Sequence, residues 1–375
     1  MCLCEGNMKI DGVSSQRLSM LRFPLIVGVV YIHAYSSEVL LSTGAIGVAE
    51  PGFYSDFVRN IVSQGLARLS VPLFFLMSGY LLFANFEWSL PRYINKLRSR
   101  VRTLLVPYLF WNALLLSAMA LAQQMPTTSE FFSGKGLPVA SYTSFQYLDA
   151  IFGVTGPPVG YQWWFIRDLM MLVVLSPLIH VFHKKAARVI LLAAFAVWFF
   201  ELASKEILSP EAFLFFYVGT YLARLGRSVF LFDKYGNLML ALYLPVLLID
   251  TLSKESQLNG LVHNFGLLLG VPAVLSLSRY ALKLTQLQIA LRGLSSYSFF
   301  VFATHEPLLV ATRKIAYKTF APSDDLAVIS LYLTLPSVVI LTTIAAYNTM
   351  SRLTPRFLMI ISGGSASKVS TLKKS

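Results

Sequence analysis

Apolar residues run in long blocks along this chain, and polar residues gather between them. A helix needs roughly 20 mostly apolar residues to cross a bilayer. Read this way, the pattern predicts ten spans: 22–42, 66–86, 104–124, 164–182, 187–204, 211–226, 236–252, 261–280, 295–315 and 326–349. Two of these, 187–204 and 211–226, are short and are expected to tilt or to pair as a hairpin. The expected fold is an all-α integral membrane protein, a bundle of about ten transmembrane helices. It would comprise an N-terminal segment 1–21, a transmembrane domain 22–349 with a long outer loop 125–163, and a tail 350–375. That tail is basic and ends in "SGGSASKVSTLKKS", a composition of disorder.

Composition sharpens the reading. Only 13% of the 375 residues are charged and 56% are hydrophobic, whereas soluble domains carry about a quarter charged residues. The formal net charge of +13 points to cytoplasmic loops and anionic lipid headgroups. No aromatic-interleaved basic patch suggests a nucleic acid partner. With both termini cytoplasmic, the inner segments collect most of the cations, including Lys9, Arg17, Arg92, Lys96, Arg98, Arg100 and Arg102. The stretch "TRKIAYKTF" breaks the rule, because Arg313, Lys314 and Lys318 fall outside. The two cysteines, Cys2 and Cys4, read as a reduced cytosolic tail or a palmitoylation site. The first twenty residues have no apolar core of a cleavable signal peptide, so the first span is expected to direct insertion.

Ionisable residues within apolar segments mark function. In "LRFPLIVGVVYIH", Arg22 and His33 are separated by ten uncharged residues. An offset of eleven places both on one helical stripe, roughly 16 Å apart along the axis. Arg22 is expected at the inner interface and His33 near the bilayer midplane. That spacing suits an extended ligand with an anionic end and a reactive end, as in coenzyme A with its phosphopantetheine arm. In "NKLRSRVRTLLVPY", Arg98, Arg100 and Arg102 offer three planar guanidinium groups, suited to phosphate. In "FVFATHEPLLV", His305 and Glu306 fall mid-span beside Pro307, and they project about 100° apart, so each needs its own partner. Ser78 and Gly79, in "RLSVPLFFLMSGYLLF", are expected to admit a neighbouring backbone. Trp163, Trp164 and Phe165 follow the outer loop, either as an interfacial belt or as a stacking surface.

Taken together, these stretches resemble the acyltransferase-3 family of bacterial integral membrane acyltransferases. The matching elements are "LRFPLIVGVVYIH", "VPLFFLMSGYLL", "RSRVRTLLVPYLFW", "WWFIRDLMMLVVLSPLI" and "FFVFATHEPLL", in the family's order. The resemblance implies transfer of an acyl group, commonly acetyl, from cytoplasmic acetyl-CoA to a hydroxyl of an envelope glycan. The acceptor would be an O-antigen, exopolysaccharide or undecaprenyl-linked glycan, and the location the inner membrane. His33 takes the place of the family's essential histidine and Arg22 that of its partner. The R-x-R element falls on Arg98 and Arg100 or on Arg100 and Arg102. The usual "LWFL" is "WWFI" here.

On this reading Arg22 and the Arg98–Arg102 cluster bind the donor's phosphates. His33 acts as base or acyl carrier, His305 and Glu306 orient it or the hydroxyl, and Trp163 to Phe165 meet the sugar. No metal is expected. The rival reading is a proton-coupled carrier of a glycolipid or small solute, with His33, His305 and Glu306 as relay.

Overall fold

The apolar blocks fold as helices in the computed structural model, which describes residues 10–84, 88–132, 136–204 and 207–364. Cys2, Cys4, Lys9 and the end of the basic tail lie outside the described residues. Five helical stretches among those described are long and apolar enough to cross a bilayer: Phe53–Phe83, Leu90–Gln124, Asp233–Leu252, Asn259–Lys283 and Asp325–Leu353. A sixth candidate is a broken one, Tyr161–Val174 followed by Ser176–Lys185 at an angle of 57°.

The other expected spans depart from the pattern in physically readable ways. The first helix runs Gly12–His33 rather than 22–42. Asp11 accepts the backbone N–H of Ser14 at 2.6 Å and so anchors the helix's first turn. Beyond His33 the chain turns into an antiparallel hairpin, Glu38–Leu41 paired with Gly44–Gly47. Gly44 and Gly47 there take φ of +126° and +121°, conformations that only glycine adopts readily. Arg22 therefore lies mid-helix rather than at the helix entrance, and His33 is a C-terminal residue rather than a midpoint. Ala187–Phe199 and Pro210–Arg224 are short, 13 and 15 residues. Ser298–Phe320 is long enough but carries too many polar groups to qualify by apolarity. Within the tail, Pro355–Ile361 forms a further helix.

The chain divides into two compact units. The first holds the described residues of 1–28, 65–101 and 168–298. Its helices Ser70–Phe83 and Pro210–Arg224 pack backbone to backbone. A Cβ on Gly79 would strike the carbonyl of Phe216, and one on Gly219 the carbonyl of Leu76. Small residues at such crossings let backbones approach, the usual association device where solvent gives no hydrophobic drive. Arg17, expected as a loop charge, is instead 5% exposed. Its guanidinium grips Asp233 at 2.6 and 2.9 Å, Ser278 Oγ and the Leu275 carbonyl at 2.8 Å, and lies over the Phe230 ring. A buried cation persists only when paired and bonded in this way.

The second unit holds the described residues of 29–64, 102–167 and 299–375. Here Ser63 donates to the Tyr31 carbonyl, and Gly52 N–H donates to Asp325 at 2.7 Å. Trp111 donates from its indole to the Ile361 carbonyl at 3.0 Å, which fastens the terminal helix.

The glycine crossing yields a direct test. Gly79→Val should destabilise the protein by about 3 kcal/mol or more, because the two helix backbones must part. Gly266→Ala should be tolerated, since its new methyl would meet only Val246 at an ordinary 3.5 Å. Thermal unfolding in detergent distinguishes the two; equal melting temperatures would remove the crossing as a constraint.

Candidate functional site

The second unit gathers its polar groups around the helix Ser298–Phe320. Pro307 lies inside this helix and has no N–H, so the carbonyl four residues earlier, that of Ala303, loses its helical donor. In an apolar interior that carbonyl must be satisfied from elsewhere. Gln162 does so, donating from Nε2 to Ala303 O at 3.3 Å. The bond fixes the amide's orientation, because only the –NH₂ end can face a carbonyl. Gln162 was not singled out from the sequence; the signal was Pro307, which requires a donor at the turn before it.

His305 is completely buried. Its Nδ1 lies 2.8 Å from the Phe302 carbonyl and 3.2 Å from that of Val301. Both are acceptors, so the neutral ring keeps its hydrogen on Nδ1 and leaves a lone pair on Nε2. That Nε2 has no hydrogen-bond partner, and neither has Gln162 Oε1. A buried acceptor without a donor costs about 1–3 kcal/mol.

The His33 ring packs edge-on against His305, with centroids 5.1 Å apart, and against Tyr161 at 5.8 Å. The His33 carbonyl, at the helix end, accepts from Arg313 Nη1 at 3.4 Å. This position explains a cation that broke the positive-inside rule, since a helix C-terminus favours positive charge. Lys318 and Lys314 on the same helix are likewise engaged, with Glu130 and with the Phe131 carbonyl. Glu306 is half-buried and feels the charge of Arg313 seven residues on.

Local bonding explains how Tyr161 and Gln162 are presented. Gly160 N–H donates to Asn112 at 3.0 Å, and Asn112 in turn donates to the Tyr108 carbonyl at 2.9 Å. A Cβ on Gly160 would meet the Trp163 ring and Asn112 Oδ1. Arg167 reaches back to the carbonyls of Gly153 and Gly156. Asp149 accepts from Val154 N, Thr155 N and Thr155 Oγ1. Burial pushes the Asp149 carboxyl up, but the Thr155 and Val154 bonds, with Arg167, outweigh it and hold the group below its ordinary range. Trp163 is 1% exposed, wedged among Tyr108, Phe299 and Phe302. Trp164 and Phe165, the other two aromatic residues expected on the sugar side, are half-buried.

The arginines expected at the donor's phosphates are distributed differently. Arg22, Arg98 and Arg100 belong to the first unit, and Arg102, which is exposed, belongs to the second. Arg100, common to both readings of the R-x-R element, feels the charge of Arg22, and Lys96 feels that of Arg100. Like charges held close are relieved by a bound anion. Among the described residues no group of three or more His, Cys, Asp or Glu is placed to hold a metal.

The order of the motifs suggested one family, and an acyltransferase domain model matches residues 16–349. The chain belongs to the acyltransferase-3 family. This makes the protein an acyltransferase, and its long apolar helices make it a membrane protein. The succinoglycan biosynthesis protein ExoH of Rhizobium meliloti (strain 1021) is 27% identical, over 94% of this chain and 93% of its own length. No solved structure matches.

The Asp149 lock should respond to pH. A lowered carboxyl contributes stability above its unfolded value, about 3.9, and loses it as pH falls through the folded value. Amide hydrogen exchange at Val154 and Thr155 should therefore be slow at neutral pH and quicken on acidification below the ordinary carboxylate range. In Asp149→Asn that pH dependence should disappear; its persistence would assign the effect to another group.

Proposed function

We propose that this protein is a multi-pass O-acyltransferase of the bacterial inner membrane, with ten spans and cytoplasmic termini. It would move an acyl group, acetyl by preference, from cytoplasmic acetyl-CoA to a hydroxyl of an envelope polysaccharide. The observation that carries this reading is the contact between His33 and a buried His305 whose tautomer leaves Nε2 unprotonated. The family supports acyl transfer, and a relative named for succinoglycan biosynthesis supports a polysaccharide acceptor.

In direct transfer, His33 accepts the hydroxyl proton while the oxygen attacks the thioester carbonyl. The C–S bond then breaks, and the imidazolium returns a proton to the leaving thiolate. In the covalent alternative, a His33 nitrogen takes the acyl group first and the hydroxyl attacks second. His305 supplies a fixed acceptor for orienting a hydrogen, and Glu306 with Arg313 steadies the end of the His33 helix. Arg22 and Arg100, with Arg98 or Arg102, are assigned to the donor's phosphates, where the guanidinium fork outperforms ammonium. Trp164 and Phe165 remain assigned to the acceptor side.

Membranes carrying His33→Ala should consume no labelled acetyl-CoA at unchanged protein level. Retained transfer would remove the imidazole from the chemistry. Arg100→Lys should raise the KM for acetyl-CoA about tenfold while sparing kcat. An unaltered KM would reduce the cluster to a topology signal.

A further inference from the structure

Among the buried side-chain atoms of the second unit that lack a hydrogen-bond partner, two are pure acceptors: His305 Nε2 and Gln162 Oε1. Both side chains are essentially buried, at 0% and 2% exposure. In each case the other end of the group is committed to a backbone carbonyl, Nδ1 of His305 to Phe302 and Nε2 of Gln162 to Ala303. Neither ring nor amide can flip without bringing a lone pair against a carbonyl oxygen, so the acceptor character of both free ends is fixed. The two residues are also joined locally. Gln162 bonds the helix two residues before His305, while its neighbour Tyr161 touches the same His33 ring that touches His305.

Two fixed acceptors repel carboxylate and phosphate and call for a ligand that brings hydrogens. Sugar hydroxyls do so, and so do the amide N–H groups in the arm of a coenzyme A thioester. Both orphaned acceptors belong to the unit that carries His33 and His305, and we take the neutral, hydroxyl-rich substrate as the source of their hydrogens. We propose that Gln162 Oε1 and His305 Nε2 form a hydroxyl-recognising pair for the acceptor glycan, with Gln162 a specificity-determining residue. This rests on the transferase reading. It adds a requirement for donor hydroxyls on the sugar besides the one that is acylated. A polysaccharide lacking those hydrogens is excluded, because a buried acceptor facing an ether oxygen stays unpaired.

The test uses the full-length protein in membranes, with labelled acetyl-CoA and polysaccharide prepared from cells that lack this protein. Gln162→Met keeps side-chain length and removes the acceptor. Its KM for polysaccharide should rise about tenfold, with the KM for acetyl-CoA changed less than about twofold. Gln162→Glu, whose protonated carboxyl both donates to Ala303 and accepts, should restore most of the affinity. A second measurement needs no variant: O-methylated polysaccharide should fail to compete against the native polymer on the wild-type protein. Unchanged polysaccharide KM in Gln162→Met, a raised acetyl-CoA KM in its place, or competition by the methylated polymer would overturn the hydroxyl pair. A wild-type protein that transfers no acetyl group would sink the transferase reading itself, a different result from transfer that ignores Gln162.

Discussion

One missing hydrogen organises the second unit. Pro307 cannot donate to Ala303, and an apolar surrounding offers no water to substitute. The carbonyl is satisfied by Gln162, so a residue at the end of the outer loop is drawn against the helix that carries His305. With Gln162 comes Tyr161, whose ring meets His33. The site therefore depends on a helix defect repaired in trans, and the repair spends the donor half of an amide and leaves its acceptor half facing inward. A regular helix there would need no Gln162, and the loop would lose its reason to dock.

The same constraint acts at the end of the helix that carries His33. Helix termini leave carbonyls without partners, and the His33 carbonyl finds Arg313. That contact joins the two histidine-bearing helices at the level of backbone, independently of either imidazole. It also explains why three cations stand where topology predicts few: each is committed, to a helix end, a carbonyl or a carboxylate. Charge that looks misplaced along the chain is thus consumed locally.

Much of this was legible in the residues, in uneven ways. Apolar blocks located the helices well, since burial in lipid is read from composition over some twenty positions. Gly79 announced a close crossing because only a missing side chain permits one. The motif residues His33, His305 and Glu306 do fall in one unit. Boundaries were poorer: Asp11 and Arg17 extend the first helix backward through bonds to Ser14 and Asp233, and the 216-residue separation of that ion pair has no trace in local pattern. Trp163 read as either a belt or a sugar platform because aromatic residues serve cores and surfaces alike, and its depth of burial has no trace in local pattern. Gln162 escaped notice because an isolated glutamine carries no periodic signal, and only the pairing with a distant proline gives it meaning.

The two histidines invite comparison as acid–base groups, and their surroundings separate them. His305 has a fixed tautomer; its Nδ1 hydrogen cannot leave without stranding two carbonyl oxygens. It is therefore suited to hold one hydrogen-bond geometry through a reaction cycle, not to shuttle protons through the ring. His33 is partly exposed at a helix end and flanked by two rings. Catalysis by proton transfer needs a group that changes state beside one that does not, because orientation is lost if both move. The fixed member is the one whose environment already forbids change, which makes His305 the positioning group of the proposed transfer.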